Sequence, residues 1–587
     1  MNLTNFLKQT DTLTSQCSTE QLIAFIHEIG RVCPEHRREG FLEMLKSAGR
    51  RTEKATSKME TDFDGMYSHI RDNLKSIDSQ EITITGILNE EYDDWYDDCD
   101  EEFYYEDKSG ISDMLEEACD FVHICMDTEK YKEGFAVGKQ MLEMEILCDN
   151  EYGDEELSLK DLVNHKLLNC DLKRVILDTT YCAYYAVPSA KRPEALFELI
   201  VNAKEDTVTL EAIMQHGDEE LHEFEEFLPF WITYLGNKTG HDADRLISEA
   251  VDLLNDISLE VQYAETYAAV HPRLYLDILE NRKQISADDM VSIGIKAMKT
   301  IPKKYIMRSK VALETAEYVI AADGELSLLE KCYFVACESD ISAQNYLRAL
   351  LNGYGSGKKR EALQKILMQL SVHKSNGSFD MYERNDSSSE REVNRPNGNM
   401  VLLLQFLDGQ FADVLDKGLN KSEALGWTGT FMKQGMALYL LYLHEGEWVG
   451  KGIAAMAEMA KSAMGFSAEE YRKGTCGLEG IDENDLFFQL FFQWKSMVQM
   501  TSDVRNRAIK RIAELQKKRT AGIMDANRRN YYGECAAFIA ALGEVRESMG
   551  EMGAKQRLMT LYRDAYPRRS AFREEMRKYG WIDTKRK

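Results

Sequence analysis

Apolar residues return at helical spacing along most of this chain, and this periodicity limits the folds open to it more than any other feature. Hydrophobic residues recur every three or four positions in one segment after another, as in Leu22, Phe25, Ile26 and Ile29. Such a stripe covers one face of an amphipathic helix. Proline, which interrupts helix interiors, occurs only 8 times in 587 residues. The sequence therefore predicts a mostly helical protein.

The predicted helices come in pairs joined by short polar turns. In the first pair, Ser18 and Gln21 form a capping-box signature, Pro34 can begin the second helix, and Gly49 can end it. Further pairs follow at intervals of roughly 30 to 45 residues, which is typical of helical repeats. One pair cannot bury its own apolar stripe, so neighbouring pairs must stack. We expect an all-α fold, an α-solenoid of antiparallel, tetratricopeptide-like helix pairs with a concave surface and one small β insert.

Composition along the chain predicts five segments. Helical hairpins occupy residues 1–80, a small β and acidic-aromatic insert 81–109, and a helical-repeat array 110–372. A linker rich in Asn, Ser and Gly follows at 373–399, because it has no apolar periodicity. Residues 400–587 return to the helical pattern and are basic from about 501.

The insert combines one predicted strand with a dense run of carboxylates. Residues 82–87 alternate apolar and polar side chains with period two, as a strand does. Glu90 to Asp107 then holds 11 acidic residues, no basic ones and six aromatic ones. Carboxylates supply charge and rings supply burial, so this segment could bind a basic partner or mimic DNA; the alternative is a solubilising loop whose rings pack on neighbouring helices. The candidate partner-binding residues here are Tyr92, Trp95, Tyr96, Tyr104 and Tyr105.

Charge is distributed unevenly along the chain. The net charge is −28, yet residues 501–587 contain 21 basic and 11 acidic side chains. Arginines beside aromatic residues can grip phosphates or stack on bases, and they mark Arg529, Tyr532, Arg568 and Arg569 as candidates. The alternatives are internal ion pairs with neighbouring helices and head-to-tail self-association. Since most of the chain repels nucleic acid, we expect a basic protein or peptide partner first and nucleic acid second.

No motif for catalysis or metal binding is complete. The stretch from Gly353 to Lys359 lacks the first glycine and the final Ser or Thr of a phosphate-binding loop. Cys119, His123 and Cys125 do not share one helix face, so we interpret them as core residues. His216 and His222 lie in a charged run with a single Glu-x-x-His motif, where a carboxylate-bridged metal site needs two. We expect no cofactor, no metal and no catalytic residue.

Two further features bear on the compartment. No run of about 20 apolar residues occurs, and the first residues do not follow the pattern of a secretory signal. The 12 cysteines are scattered without a regular framework, which favours reduced thiols. We therefore expect a cytoplasmic protein of bacterial type.

Parts of the chain resemble the helical region of bacterial proteins associated with SWIM-type zinc fingers. The similar segments are Arg529–Ala536, Ala541–Val545, Tyr566–Met576, Ser18–Leu45 and Pro272–Leu276. The resemblance implies a tetratricopeptide-like solenoid that serves as a platform for a partner. The Cys-x-Cys and Cys-x-His pairs of the zinc finger are absent from the sequence, so the resemblance carries over no zinc site.

Together these patterns favour a non-enzymatic scaffold or adaptor that binds a protein or peptide on a concave helical surface. A nucleic-acid-associated protein that uses the basic C-terminal region is the first alternative. A metalloprotein or enzyme of unknown class is the second.

Overall fold

The computed structural model describes residues 63–88, 103–150, 153–203, 207–217, 220–282, 284–355, 357–372 and 396–583. The predicted hairpin at residues 18–49, most of the acidic run and most of the linker lie outside these ranges. The chain divides into two compact units: one takes in residues up to 208 and 212–222, and the other takes in 209–211 and 223 onward. We predicted one array over 110–372, and the division falls inside that segment.

The described part of the chain is mainly α-helical, as the periodicity predicts. In the first unit the helices are α1 (Phe63–Asp78), α2 (Ile111–Asp127), α3 (Tyr131–Glu143), α4 (Leu159–Asn164), α5 (Leu172–Ala186), α6 (Arg192–Asn202) and α7 (Leu210–His216, of which 212–216 belong to this unit). Four strands accompany them: β1 (Ile84–Leu88), β2 (Phe103–Glu106), β3 (Ile146–Asn150) and β4 (Gly153–Leu157).

The four strands form one sheet in the order β2-β1-β3-β4. Strand β1 pairs antiparallel with β2 and parallel with β3, and β3 pairs antiparallel with β4. The strand predicted at 82–87 is confirmed by β1. The apolar pattern alone predicts a helix from Tyr131 to Leu147, and this prediction is wrong at its end, because α3 ends at Glu143 and Ile146 and Cys148 are buried in β3. The apolar residues of this stretch fit both the helical period of 3.6 residues and the strand period of two, so periodicity could not distinguish a helix from a strand there.

The core of the first unit lies between the sheet and its helices. Ile84 of β1 and Ile146 of β3 are buried together with Phe121 and Val122 of α2 and Val137 of α3. Helices α3 and α5 approach closely at Gly138, where an added Cβ would lie 2.2 Å from the Thr179 hydroxyl. Cys119 and Cys125 belong to this core, so their interpretation as core residues is confirmed.

The regular elements in the described residues of the second unit are helices. Its first half contains α8 (Phe224–Gly236), α9 (His241–Asp252), α10 (Ile257–Tyr267), α11 (Arg273–Asn281), α12 (Ala287–Thr300), α13 (Met307–Ala321), α14 (Leu326–Ser339), α15 (Ala343–Ala349) and α16 (Gly357–Val372), with a π-helical turn at Leu350–Tyr354. Its second half contains α17 (Gly398–Leu407), α18 (Phe411–Gly418), α19 (Met432–Leu443), α20 (Lys451–Met464), α21 (Ala468–Arg472), α22 (Glu483–Met497), α23 (Ser502–Asp525), α24 (Tyr532–Ser548), α25 (Ala554–Ala565) and α26 (Ser570–Lys578).

Consecutive helices pack on one another through the first half of this unit, most closely in α12, α13 and α14. Other contacts join residues that are far apart in the chain. The Tyr333 hydroxyl of α14 donates to the Gly474 carbonyl at 2.6 Å, and buried Arg348 of α15 donates to the Glu470 carbonyl at 2.7 Å. The stretch that contains α21 therefore folds back on earlier helices.

Helix α24 is the centre of the C-terminal part. It is buried on nearly every side and contacts α19, α20, α23, α25 and α26. Its crossing with α20 is close because Gly452 has no side chain: an added Cβ would lie 2.4 Å from the Ala541 nitrogen. Buried Glu544 accepts from the Ile453 amide at 2.6 Å and from Lys555 Nζ at 2.6 Å, which fixes the start of α20.

The aromatic segment from Leu486 to Trp494 lies in α22. Its residues are apolar almost all round a helix and predict burial on every side, which is wrong for one face. Phe487, Phe491 and Trp494 are buried, whereas Gln489 and Gln493 are exposed. Residues spaced by four share a side of the helix, so the two glutamines form a polar edge.

Candidate functional site

The aromatic candidates of the insert are only partly described. Tyr92, Trp95 and Tyr96 lie outside the described residues. Tyr104 of β2 is 52% exposed. Tyr105 has partners within the first unit: its hydroxyl donates to Glu155 of β4 at 3.3 Å, and the centre of its ring lies 4.5 Å from that of the His165 ring. Burial and the Glu155 charge raise the pKa of Tyr105 to about 12. Of these two, Tyr104 alone presents a free ring surface.

The C-terminal candidates have different environments. Arg529 and Arg568 are exposed. Arg569 donates to the Asn527 side chain at 2.5 Å and to the Met524 carbonyl at 2.6 Å, so its guanidinium has a structural role. Tyr532 is 2% exposed and packs edge-on against Phe572. The ring of Tyr532 belongs to the core of this region, so it offers no exposed surface to a partner there.

Most arginines of α23 bind within the protein. Arg505 pairs with Glu445 at 2.9 Å, and Arg507 pairs with Asp416 at 2.6 Å. Arg511 donates to the Leu419 carbonyl at 2.7 Å. Arg519 pairs with Glu534 at 3.0 Å and lies over the ring of Trp427. Guanidinium groups suit such multidentate contacts, which is why they dock this helix on its neighbours.

Three other cations of the same region have no such partner. Lys510 and Lys517 are exposed, Arg546 of α24 is half-buried, and none of the three forms an ion pair or side-chain hydrogen bond with any residue that the structure describes. All three line one open groove of about 420 Å³. We call it the lysine groove; it is formed by Asn506, Ile509, Lys510, Ala513, Glu514, Lys517 and Arg546.

The lysine groove is suited to a negatively charged ligand. Lys510 and Lys517 lie two turns apart on one face of α23, and with Arg546 of α24 they place three positive charges beside the apolar side chains of Ile509 and Ala513. Glu514 is the one carboxylate in the lining, so the positive charge is interrupted once. Lys518, the next residue on α23, is equally exposed but does not line the groove.

A second groove of about 520 Å³ lies on the outer side of α25. Its charged residues are already engaged, since Asp564 pairs with Arg563 at 2.6 Å and Arg557 donates to the Met552 carbonyl. Leu561 is 64% exposed and Ile582 67% exposed there. The groove therefore offers apolar surface and one guanidinium, that of Arg557, which has no carboxylate partner among the described residues.

In the first unit, two histidines that are far apart in the sequence contact the same buried carboxylate. Asp178 of α5 is 1% exposed; it lies 3.2 Å from Nδ1 of His123 of α2 and 2.5 Å from Nε2 of His216 of α7. A carboxylate only accepts, so both nitrogens carry a proton. Burial alone would raise the pKa of Asp178, but the hydrogen bonds and charges of the two histidines lower it below its ordinary value.

The Asp178 carboxylate joins helices α2, α5 and α7 through its contacts with His123 and His216. Among the described ranges, no group of three or more His, Cys, Asp or Glu side chains is arranged to hold a metal ion. His222 has a different place from His216: its carbonyl accepts from the Tyr184 hydroxyl at 2.9 Å.

Comparison with known proteins adds no assignment: no protein-family model matches the chain, and no curated protein matches its sequence. Within the described ranges, no helix has the length and apolar character needed to cross a membrane.

The lysine groove and the Asp178 cluster could not be selected from the sequence. The sequence shows seven cations between Arg505 and Arg519, but their division into paired arginines and free lysines depends on the carboxylates of α18, α24 and the loop after α19. Asp178 is a single carboxylate within a mostly apolar part of α5, and this was the available sequence signal for the cluster.

Proposed function

We propose that this protein is a non-enzymatic helical scaffold that binds an acidic protein or peptide segment in the lysine groove. The observation that carries the proposal is the contrast on α23: the arginines are engaged with partners of the same chain, whereas Lys510, Lys517 and Arg546 face an open groove without a carboxylate partner. Unpaired cations around a concave apolar floor favour an anionic ligand with some apolar character.

The finer architecture is part of the same proposal. Sequential packing of α11 to α14 supports a repeat-like, tetratricopeptide-like stack in the first half of the second unit, as the resemblance to SWIM-associated helical regions also implies. The fold-back of α21 and the central position of α24 depart from a simple stack. We propose a solenoid that closes on itself toward its C-terminal end, where the groove lies.

An acidic partner replaces the basic partner that the net charge suggested. The basic-partner expectation depends on the acidic-aromatic run, and Tyr92, Trp95 and Tyr96 lie outside the described residues. Nucleic acid is the competing ligand for the same groove. The lining contains no aromatic side chain on which a base could stack, and Glu514 interrupts the positive stripe that a phosphate backbone would follow. These two features favour an acidic peptide.

Fluorescence anisotropy tests the proposal with two labelled ligands, an oligoglutamate peptide interspersed with leucine and a single-stranded oligonucleotide of equal charge. Each exposed ion pair contributes about 0.2–1 kcal/mol, so we expect Lys510→Gln/Lys517→Gln to weaken peptide binding by about 2- to 30-fold at low salt. The matched control is Lys310→Gln/Lys518→Gln, which removes the same charge from exposed positions outside the groove.

The outcomes separate the hypotheses. Peptide binding that the groove variant loses and the control keeps supports the proposal. Tighter binding of the oligonucleotide, lost in the same variant, would instead support the nucleic-acid alternative. Equal losses in both double variants, or no binding of either ligand at low salt, would refute a dedicated groove.

A further inference from the structure

The first unit brings two thiols together: Cys119 of α2 and Cys170 of the loop between α4 and α5. The Cys119 thiol donates a hydrogen bond to the Cys170 sulfur, so the two sulfurs are in contact. Cys119 is 6% exposed within the core of the unit, and Cys170 packs against that core while it stays partly exposed. The pair therefore joins two separate elements, and one member of it is within reach of small solutes.

The main chain on both sides of Cys170 is anchored. The Asn169 amide donates to the Glu116 carboxylate at 3.0 Å, and Glu116 lies on α2 one turn before Cys119. On the other side, Asp171 is the N-cap of α5, and its carboxylate accepts from the main chain of that helix. These two attachments hold the loop against α2, so the contact between the sulfurs is a property of the folded unit.

We propose that Cys119 and Cys170 are a redox site, which hydrogen peroxide converts to a reversible disulfide. The Cys170 thiolate attacks one peroxide oxygen, the O–O bond breaks, and the second oxygen leaves and takes up a proton to form water. The Cys119 sulfur then attacks the resulting sulfenic acid: the S–S bond forms, the S–O bond breaks, and the hydroxide leaves as water with the Cys119 proton. Two electrons pass from the thiols to the peroxide, and a dithiol reductant reverses the oxidation by exchange.

The environment gives the two thiols different roles. The hydrogen bond from Cys119 lowers the pKa of Cys170 below its ordinary value, although burial and the charges of Asp171 and Glu116 oppose the decrease. The same hydrogen bond, together with burial and the charges of Asp120 and Glu116, raises the pKa of Cys119. Because the thiolate is the reactive form and Cys170 is the more exposed of the two, Cys170 is the thiol that meets the peroxide and Cys119 the one that closes the disulfide.

A second pair of cysteines in the same unit provides an internal comparison. Cys125 and Cys182 both lie against Gly134, where an added Cβ would lie 2.7 Å from the Cys125 Cβ and 2.8 Å from the Cys182 sulfur. Both residues are 0% exposed. Burial raises the pKa of Cys125 to about 12 and that of Cys182 well above its ordinary value. We therefore expect these two neighbouring thiols to stay reduced under conditions that oxidise the first pair.

The test is brief treatment of the reduced full-length protein with hydrogen peroxide at pH 7, alkylation of the remaining thiols in denaturant, and mass spectrometry of the peptides. We expect a disulfide that links Cys119 to Cys170 and disappears with dithiothreitol, while Cys125 and Cys182 remain alkylated. Cys170 should be oxidised severalfold faster than Cys476, although Cys476 is the more exposed residue. When the peroxide is added in denaturing urea, these two cysteines should react at similar rates.

Three variants make the result specific. Cys119→Ser keeps a hydrogen-bond donor but removes the second thiol, so the sulfenic acid of Cys170 should form at a similar rate, persist and be trapped by dimedone. Cys119→Ala removes the donor as well and should slow the oxidation of Cys170 severalfold. Cys125→Ala is the matched control in the same core and should leave the disulfide unchanged. No disulfide in the wild type, a disulfide from Cys170 to any other cysteine, or a Cys170 rate equal to that of Cys476 in the folded protein would overturn the proposal.

Discussion

The Asp178 cluster allows a quantitative prediction about the stability of the first unit. Asp178→Asn keeps the shape of the side chain but replaces one acceptor oxygen by an amide that donates. The asparagine then accepts a hydrogen bond from only one histidine, and its amide N–H faces the N–H of the other histidine. A hydrogen bond to a charged group contributes about 1.5–3 kcal/mol, and an unsatisfied buried donor costs more. We expect Asp178→Asn to lower the stability of this unit by about 2–4 kcal/mol at pH 7.

The loss should depend on pH with a defined sign. Because folding lowers the pKa of Asp178 below its ordinary value of 3.8, the contribution of the carboxylate is fully present above that value. It is lost as the pH falls through the folded pKa, since the protonated acid no longer accepts from both rings. The difference between wild type and variant should therefore be full at pH 7 and shrink below about pH 4.

Amide hydrogen exchange measured by mass spectrometry can localise the effect, because the second unit serves as an internal reference. Peptides from α2 and α5 should exchange faster in Asp178→Asn, whereas peptides from α20 and α24 should not change. Asp171→Asn is the matched control: it makes the same chemical change on the same helix, at an exposed N-cap that accepts from the Arg174 amide at 3.2 Å. Asparagine caps helices as well as aspartate does, so this control should stay within about 0.5 kcal/mol of wild type.

A loss below about 0.5 kcal/mol in Asp178→Asn would show that the buried carboxylate contributes little beyond its desolvation cost. An equal loss at pH 7 and pH 3 would show that its ionisation is irrelevant. Either result would refute the role assigned to the two histidines.

Two further predictions concern the C-terminal part of the second unit. Gly452→Ala should lower the thermal midpoint, since the added Cβ meets the backbone of the central helix and overpacking costs about 1–3 kcal/mol; Gly398→Ala, whose Cβ meets nothing within 4 Å, should not, and equal midpoints would contradict the close crossing. Tyr532→Phe removes a buried hydroxyl that has no hydrogen-bond partner among the described residues, so stability should stay equal or rise. A loss above about 1 kcal/mol in that variant, measured by urea unfolding, would show that the hydroxyl is satisfied.

The helical class of this protein could be predicted from its sequence because the pattern is repeated many times. Apolar stripes at helical spacing identify α8, α9 and α12 without tertiary information. The strands β3 and β4 were missed because each has only five residues, too few to separate a period of two from a period of 3.6. The assignment of β3 depends on pairing with β1, which lies about 60 residues earlier in the chain, and β4 in turn pairs with β3.

The candidate sites show a similar limit. Sequence reasoning recognised the basic character of α23, but every cation counted equally there. In the structure, Arg507 pairs with Asp416 and Arg519 pairs with Glu534, both on neighbouring helices, whereas the lysines remain exposed. His123 and His216 were examined for partners within their own helices. The partner of both, Asp178, comes from a third helix, and nothing in the spacing of residues along the chain predicts that meeting.

The central claim, that Lys510 and Lys517 line a site for an acidic partner and Lys518 does not, can be measured residue by residue. The protein is labelled briefly with an amine-reactive reagent, with and without the leucine-containing oligoglutamate peptide, and the modification rate of each lysine is read by mass spectrometry. We expect the bound peptide to slow modification of Lys510 and Lys517 severalfold and to leave Lys518 unchanged. Equal protection of all three lysines, or protection elsewhere with none in the groove, would contradict the account.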